Sequence, residues 1–255
     1  MLHGFAQSAC VFKSKTEGLR KQLESQIPPA PATGSIAQCP GGIEFCFTTA
    51  PIELSLTDIP EAVFSPEERA RSPLDAYGWW QRREADDGQP FYEGLDRALQ
   101  SIALELEQNG PFEGIIGFSQ GGTAAAMVAS SLEPGRQNHF STAQLSGAMP
   151  FPHRSTHPPL RFVIACSGSK VDDDPLYAAF YEPKIATPVY HLLGSMDNVN
   201  NETRSLALVE ACLVGRGNPD GVSRVSYYPG GHVLPVDPAQ HATALAEFIR
   251  ESISV

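Results

Sequence analysis

Ser119 stands in Gly117-Phe118-Ser119-Gln120-Gly121, a G-x-S-x-G frame in which a serine on a sharp strand-to-helix turn presents its hydroxyl as an acyl-transfer nucleophile. The flanking glycines let strand and helix backbones crowd together around a serine held in a strained φ/ψ region. Such a five-residue pattern arises by chance in roughly one chain in ten of this length, so its setting decides. An apolar run, GIIGF, comes directly before the serine, and a small-residue helical stretch, QGGTAAAMVAS, begins directly after it. The competing reading is a serine that only caps that helix.

A neutral hydroxyl is a weak nucleophile, so it needs a base within hydrogen-bond reach and a third group to orient the base. Among seven histidines, His232 in SYYPGGHVLP is best placed, on a glycine-rich turn between an expected strand and the last helix. His153 and His157 in FPHRSTHPP read as solvated loop residues; His139 precedes an expected strand, His191 lies inside one as a backbone-bonded core histidine, and His241 sits on the final helix. The orienting acid should fall between serine and histidine in chain order. Asp197, three residues past Gly194 in VYHLLGSMDNVN, is the candidate, with an Asx turn or helix cap as its alternative. Asp172, Asp173 and Asp174 are rivals, although three adjacent carboxylates suit a solvated loop better than a buried site.

The oxyanion of the tetrahedral intermediate needs two preset backbone N–H donors. Gln120, first in its helix, supplies one, and Phe5 in the early loop LHGFAQS supplies the second. Gly4 lets that loop approach, and His3 becomes a structural residue of the loop rather than a second base. Neither H-E-x-x-H nor paired Cys/His spacing occurs, and no phosphate-cradling glycine loop, so no metal and no cofactor are expected.

These residues require a scaffold of alternating strands and helices. Apolar runs bounded by turn residues predict strands at 43–49, 114–118, 142–146, 161–167, 188–193 and 224–228, and their apolarity suits a parallel sheet covered on both faces. Leu95, Leu99, Ile102 and Leu106 form one helical stripe that Gly110-Pro111 ends; further helices are expected over 120–130, 201–214 and 238–253. Between Pro51 and Pro90 the periodicity fails, and 51–90 reads as an inserted cap or lid, or as a surface excursion whose Trp79 and Trp80 bury against the core. One α/β domain spanning 1–255 accounts for the length.

The formal charge of −11 disfavours nucleic acid and anionic lipid surfaces as partners. Five cysteines without a C-x-x-C pair imply free thiols, and the N-terminus lacks a signal-peptide pattern. A cytoplasmic protein without membrane spans is the expectation.

LHGFAQSACVF, WWQRREADDGQPFYEGLDRALQSI, GPFEGIIGFSQGG, HLLGSMDNV and YYPGGHVLP resemble, in that order, the blocks of the FSH-type serine hydrolase family. That family includes yeast esterases, a human tumour-suppressor-candidate hydrolase and thioesterases releasing polyketides from fungal synthases. The resemblance implies an α/β-hydrolase fold, a mostly parallel sheet with helices on both faces, and a Ser119, Asp197, His232 triad with Phe5 and Gln120 at the oxyanion. It also implies that Tyr77, Trp79 and Trp80 wall an acyl pocket. Only Met1 and Leu2 precede His3, where the family carries a full strand, so the first strand is expected to be truncated unless the true start lies upstream. The substrate implied is a hydrophobic acyl ester or carrier-bound thioester, in its finest form a polyketide released by transient docking to its synthase. The alternatives are a general short-chain carboxylesterase and a non-catalytic hydrolase-fold accessory protein.

Overall fold

The computed structural model describes residues 1–254 apart from 71–73, 87, 89, 153–154, 172–174, 214–223 and 236–238. Two helices come first, α1 (Ala9–Lys15) and α2 (Glu17–Gln26); Ser8 caps α1 by accepting from the Val11 N–H. Two small antiparallel ladders follow, β1 (Ile52–Glu53) with β2 (Tyr77–Gly78) and β3 (Gln81–Glu84) with β4 (Pro90–Glu93), with the short helix α3 (Pro66–Arg69) between β1 and β2. The main body then runs α4 (Leu95–Asn109), β5 (Gly114–Phe118), α5 (Gln120–Leu132), α6 (Arg136–Gln144), β6 (Phe162–Cys166), β7 (Val189–Gly194), α7 (Glu202–Glu210), β8 (Arg224–Tyr228) and α8 (Ala239–Ser254).

β5, β6, β7 and β8 form one parallel sheet in that order. Successive side chains of a strand point to opposite faces, and β6 divides accordingly. Val163 and Ala165 join a core with Leu99, Ile102 and the alanines of α5, whereas Phe162, Ile164 and Cys166 join a second core with Phe12, Leu23, Leu245 and Ile249. Both faces are thus covered, which is why β6 is buried at every position. α5 packs flat on the sheet because its small residues, Gly121 through Ser131, are all buried.

Two expected strands are not formed. Residues 142–146 close α6 and enter a turn instead; α6 is anchored by Phe140, 0 % exposed and edge-on to Phe180 at 4.7 Å, while Leu145 is 89 % exposed and offers a strand no buried face. Residues 43–49 remain irregular apart from a bridge at Thr48. The expected short first strand is a single residue, Leu2, which pairs in parallel with Gly117 on one side and Thr48 on the other. α1 and α2 had no counterpart among the expected elements. The 51–90 segment builds a small core of Leu54, Ile59 and Ala76 and joins the main core through Trp79 and Trp80. All five cysteines are free, and no described helix is long and apolar enough to cross a membrane.

Candidate active site

At the end of β5 the chain turns into α5 through Ser119, whose φ of 53° and ψ of −120° lie outside the favoured regions for a side-chain-bearing residue. Such backbone costs about 1–3 kcal/mol and persists only where its surroundings enforce it. Here the Ser119 N–H donates to the Cys166 carbonyl at 2.8 Å, and the Ser119 carbonyl accepts from Gly122 and Thr123 at 2.9 and 3.1 Å. A Cβ at residue 117 would lie 2.1 Å from the Gly121 oxygen, and one at 121 would lie 2.3 Å from the Leu2 oxygen. The glycines of the motif therefore exist for close packing of strand, helix and the 2–4 loop. The Ser119 side chain makes no capping bond to α5.

Its hydroxyl instead lies 2.7 Å from His232 Nε2, across 113 residues of sequence. His232 Nδ1 lies 2.7 Å from Asp197 Oδ2, and the other carboxylate oxygen accepts from the N–H groups of Val199 and Asn200 at 3.1 and 2.9 Å. Asp197 and His232 are 6 % and 15 % exposed. Burial pushes the Asp197 carboxyl up, but the Asn200 N–H, the His232 imidazole and the Ser167 hydroxyl together hold it below the ordinary carboxylate value. It stays ionised beside an imidazole whose Nδ1 then carries the proton, leaving Nε2 free to accept one from Ser119.

Parallel register brings these side chains together. All three follow the carboxyl ends of sheet strands, the usual position for sites in open α/β sheets. Gly194 at the end of β7 pairs with Tyr228 at the end of β8, and beyond them Ser195 N–H donates to the Tyr228 carbonyl and Met196 N–H to the Gly230 carbonyl at 3.0 and 2.9 Å. A Cβ at 194 would sit 2.5 Å from the Gly231 oxygen, so glycine is required where the acid loop and the base loop touch.

The 2–7 loop is pinned against the elbow. His3 is 0 % exposed; its Nε2 accepts from the Ala50 N–H at 2.9 Å and its Nδ1 donates to the Gly4 carbonyl at 2.7 Å, a structural role rather than that of a second base. Trp79 Nε1 donates to the His3 carbonyl at 2.8 Å. The Gln120 side chain clamps the same segment, accepting from the Trp79 N–H at 2.9 Å and donating to the Trp80 carbonyl at 2.8 Å. Among the described residues no acceptor takes the backbone N–H of Phe5 or Gln120. Trp79 and Trp80, expected to wall an acyl pocket, are 0 % and 4 % exposed and packed in the main core. Trp79 braces the loop through its indole N–H, while the Trp79 N–H and the Trp80 carbonyl are held by the Gln120 side chain; Tyr77 is half-buried in β2, its N–H donating to the Gln7 carbonyl at 2.9 Å.

The remaining candidates separate by surroundings. His157 is not a solvated loop residue, since it is buried and its Nε2 accepts from the Phe112 N–H at 2.8 Å. His139 is exposed on α6, and His241 is buried on α8 beside Tyr228. His153 and Asp172, Asp173 and Asp174 lie outside the described residues. Asn200 and Ser167 have no sequence motif to announce them: Asn200 Nδ2 donates to the Ser167 carbonyl and to Ser205 Oγ at 2.9 and 3.1 Å, and so holds the acid loop to β6. The only hint was an Asp followed three residues later by an Asn, which suits an Asx turn.

His191 departs from its expected backbone bonding. It is 0 % exposed in β7, neither ring nitrogen has a partner among the described residues, and burial pushes its pKa from 6.5 to about 4, as burial does for His3. Above pH 6.5 both histidines are neutral folded or unfolded. As pH falls from 6.5 towards 4, the unfolded chain binds protons that the folded chain refuses, so stability drops through that window by up to about 3 kcal/mol per histidine. His191→Leu, which removes two unpaired buried nitrogens, is expected to raise stability by about 1–2 kcal/mol at pH 7 and to flatten the loss between pH 7 and 5. Urea unfolding at both pH values checks this, and a variant less stable than wild type at pH 7 with an unchanged acid slope contradicts it.

A family model described as Serine hydrolase (FSH1) matches residues 1–244. A Schizosaccharomyces pombe protein named dihydrofolate reductase is 29 % identical over 255 residues, which cover 97 % of this chain and 46 % of that protein. Bos taurus Esterase OVCA2 is 29 % identical over 250 residues, covering 96 % and 92 %. The chain thus spans about half the length of the Schizosaccharomyces relative. Among solved structures, a point variant of Arabidopsis thaliana SOBER1 superposes with a TM-score of 0.50 at 14 % identity, over 99 % of this chain and 97 % of that one, a likeness of fold alone.

Proposed function

The chain belongs to the FSH1 serine hydrolase family and has an α/β-hydrolase fold, and from that premise we propose that it cleaves acyl esters or thioesters through an acyl-enzyme on Ser119. The carrying observation is the pair of 2.7 Å contacts that place His232 between Ser119 and Asp197. His232 Nε2 takes the hydroxyl proton as Ser119 Oγ attacks the carbonyl, then returns it to the leaving oxygen or sulfur; water, deprotonated by the same nitrogen, releases the acid. Asp197 holds the Nδ1–H tautomer and stabilises the imidazolium. The Phe5 and Gln120 N–H groups receive the oxyanion, the second helped by the positive end of α5. Besides substrate and water, these steps use only the chain's own side chains and backbone.

A hydrophobic acyl group suits the surroundings, because Met196, Val199 and Val233, next to the acid and the base in sequence, are 67 %, 69 % and 50 % exposed. The 51–90 segment, where a Cβ added at Gly78 would lie 3.1 Å from the Phe5 ring, is assigned as the cap beside the acyl site. Release of a carrier-bound polyketide is the finer reading, and it rests on the sequence resemblance to the fungal thioesterases. The relative named an esterase supports oxygen-ester hydrolysis as the second reading. A fluorophosphonate probe is expected to label the protein and to leave Ser119→Ala unlabelled; equal labelling of both sinks the mechanism. Comparing kcat/KM for an oxygen ester and a thioester of one medium-chain acid separates the two substrates.

A further inference from the structure

His232 sits in the middle of a three-residue turn closed by the Val233 N–H, which donates to the Gly231 carbonyl at 2.9 Å. One hydrogen bond over so short a span is a weak tether, and Gly230 and Gly231 on the approach add backbone freedom. The base must nevertheless keep both 2.7 Å contacts, to Ser119 and to Asp197. The group that steadies the turn is the phenol of Tyr228, at the end of β8 and 3 % exposed. Its hydroxyl donates to the carbonyl of Gly231, at 3.3 Å, and to that of Val233, the residues on either side of His232. The Tyr228 main chain meanwhile holds the acid loop, its carbonyl accepting from the Ser195 N–H.

The same hydroxyl lies 3.2 Å from Ser167 Oγ, across 61 residues of sequence. Carbonyls have no proton to give, so the phenol proton goes to them. Burial pushes that phenol above the ordinary tyrosine value and so keeps the proton in place. The Ser167 proton is left for the phenol oxygen or for the Asp197 carboxylate, whose ionised form it favours. Ser167 is 1 % exposed and has a φ of 46°, where glycine is the default and a residue with a side chain persists only under constraint. Its N–H donates to the Leu192 carbonyl at 2.8 Å and its carbonyl accepts from Asn200 Nδ2 at 2.9 Å, bonds that glycine would make equally well. What serine adds at this position is the hydroxyl.

We infer that Tyr228 and Ser167 are positioning residues of the triad, a chain of two buried hydroxyls that ties the base turn to the acid and holds His232 at reacting distance from Ser119; the assignment rests on the acyl-enzyme reading of Ser119. A buried tyrosine hydroxyl is satisfied by one partner. This one reaches both flanks of the base and a strained serine beside the acid, an arrangement that packing alone does not require. Loss of either hydroxyl lets the imidazole drift, and displacement by about 1 Å is enough to cost on the order of 10²-fold in rate.

The test measures kcat, KM and the rate of fluorophosphonate labelling at Ser119 in variants shown to be folded by circular dichroism. Tyr228→Phe is expected to lower kcat by about 10–100-fold with KM changed by less than about twofold. Ser167→Gly, which relieves the positive φ while deleting the hydroxyl, should lose about tenfold, and the double variant little more than Tyr228→Phe, because the two hydroxyls act together. Labelling rates should fall by the same factors, since labelling uses the same proton transfer to His232. Tyr190→Phe is the control: it removes another buried tyrosine hydroxyl, 2.5 Å from Ser226 Oγ near the start of β7, and is expected to keep wild-type kcat. A folded Tyr228→Phe with wild-type kcat, a loss confined to KM, or an equal loss in Tyr190→Phe overturns the assignment; if Tyr228→Phe does not fold, wild-type kcat in Ser167→Gly does so. Under each of these results a wild-type protein labelled at Ser119 leaves the catalytic reading standing, whereas a wild-type protein that takes no probe overturns both.

Discussion

Ser119→Ala is expected to lower kcat for acyl-ester hydrolysis by about 10⁶-fold while leaving the fold intact, as removal of the nucleophile does in other serine hydrolases. The physical case is that alanine keeps the backbone bonds of the elbow, which all run through the residue 119 N–H and carbonyl, and loses only the oxygen 2.7 Å from His232. Residual hydrolysis then reflects the oxyanion donors and substrate binding. His232→Ala should cost a similar factor, and the double variant little more than either alone, because serine and histidine act as one unit. Steady-state kinetics with circular dichroism on each protein provides the check. Two single losses that multiply in the double variant, or a Ser119→Ala enzyme retaining a tenth of wild-type activity, sink the assignment.

Asp197→Asn carries the second-largest expected effect, a fall in kcat of about 10³–10⁴ with little change in Tm or KM. The hydrogen bonds around the carboxylate explain why so small a change does so much. One oxygen takes the Val199 and Asn200 N–H groups, and those fixed donors continue to demand an acceptor. The asparagine oxygen must turn to them, which aims its NH₂ at His232 Nδ1. That nitrogen must then accept, the ring proton moves to Nε2, and the nitrogen facing Ser119 can no longer take a proton. A loss in kcat without a matching loss of stability distinguishes this from simple unfolding. Full activity in Asp197→Asn would move the role to Asp172, Asp173 or Asp174.

Most of the catalytic geometry was legible in particular stretches of sequence. GIIGFSQGG specifies its own strand, turn and helix, because the steric demand for glycine at 117 and 121 and the apolar run before them are local properties. The order serine, acid, base narrowed the partners to Asp197 and His232, which share a boundary between β7 and β8. The tryptophans were harder: an aromatic cluster in a Pro-rich segment is equally compatible with a ligand wall and a buried brace. The hydrogen bonds of Trp79 to His3 and of Gln120 to the 79–80 backbone are what the sequence could not report. Residues 43–49 and 142–146 failed for a similar reason. A short apolar or mixed run becomes a strand only if another strand lies beside it, and the first has a single-residue partner while the second leaves Leu145 in solvent.

By itself, then, the chain's sequence singled out the serine elbow and nominated Asp197 and His232 as partners for Ser119, since those follow from residue type, turn sterics and chain order over short windows. The tertiary structure alone decided that the three side chains meet at hydrogen-bond distance, that His191 is buried with no partner for its ring among the described residues, and that the Trp79 indole is bonded to the His3 carbonyl. Burial and pairing are set by residues 35 to 113 positions away in sequence, and no local pattern reports which distant backbone will arrive to satisfy or strand a given polar group.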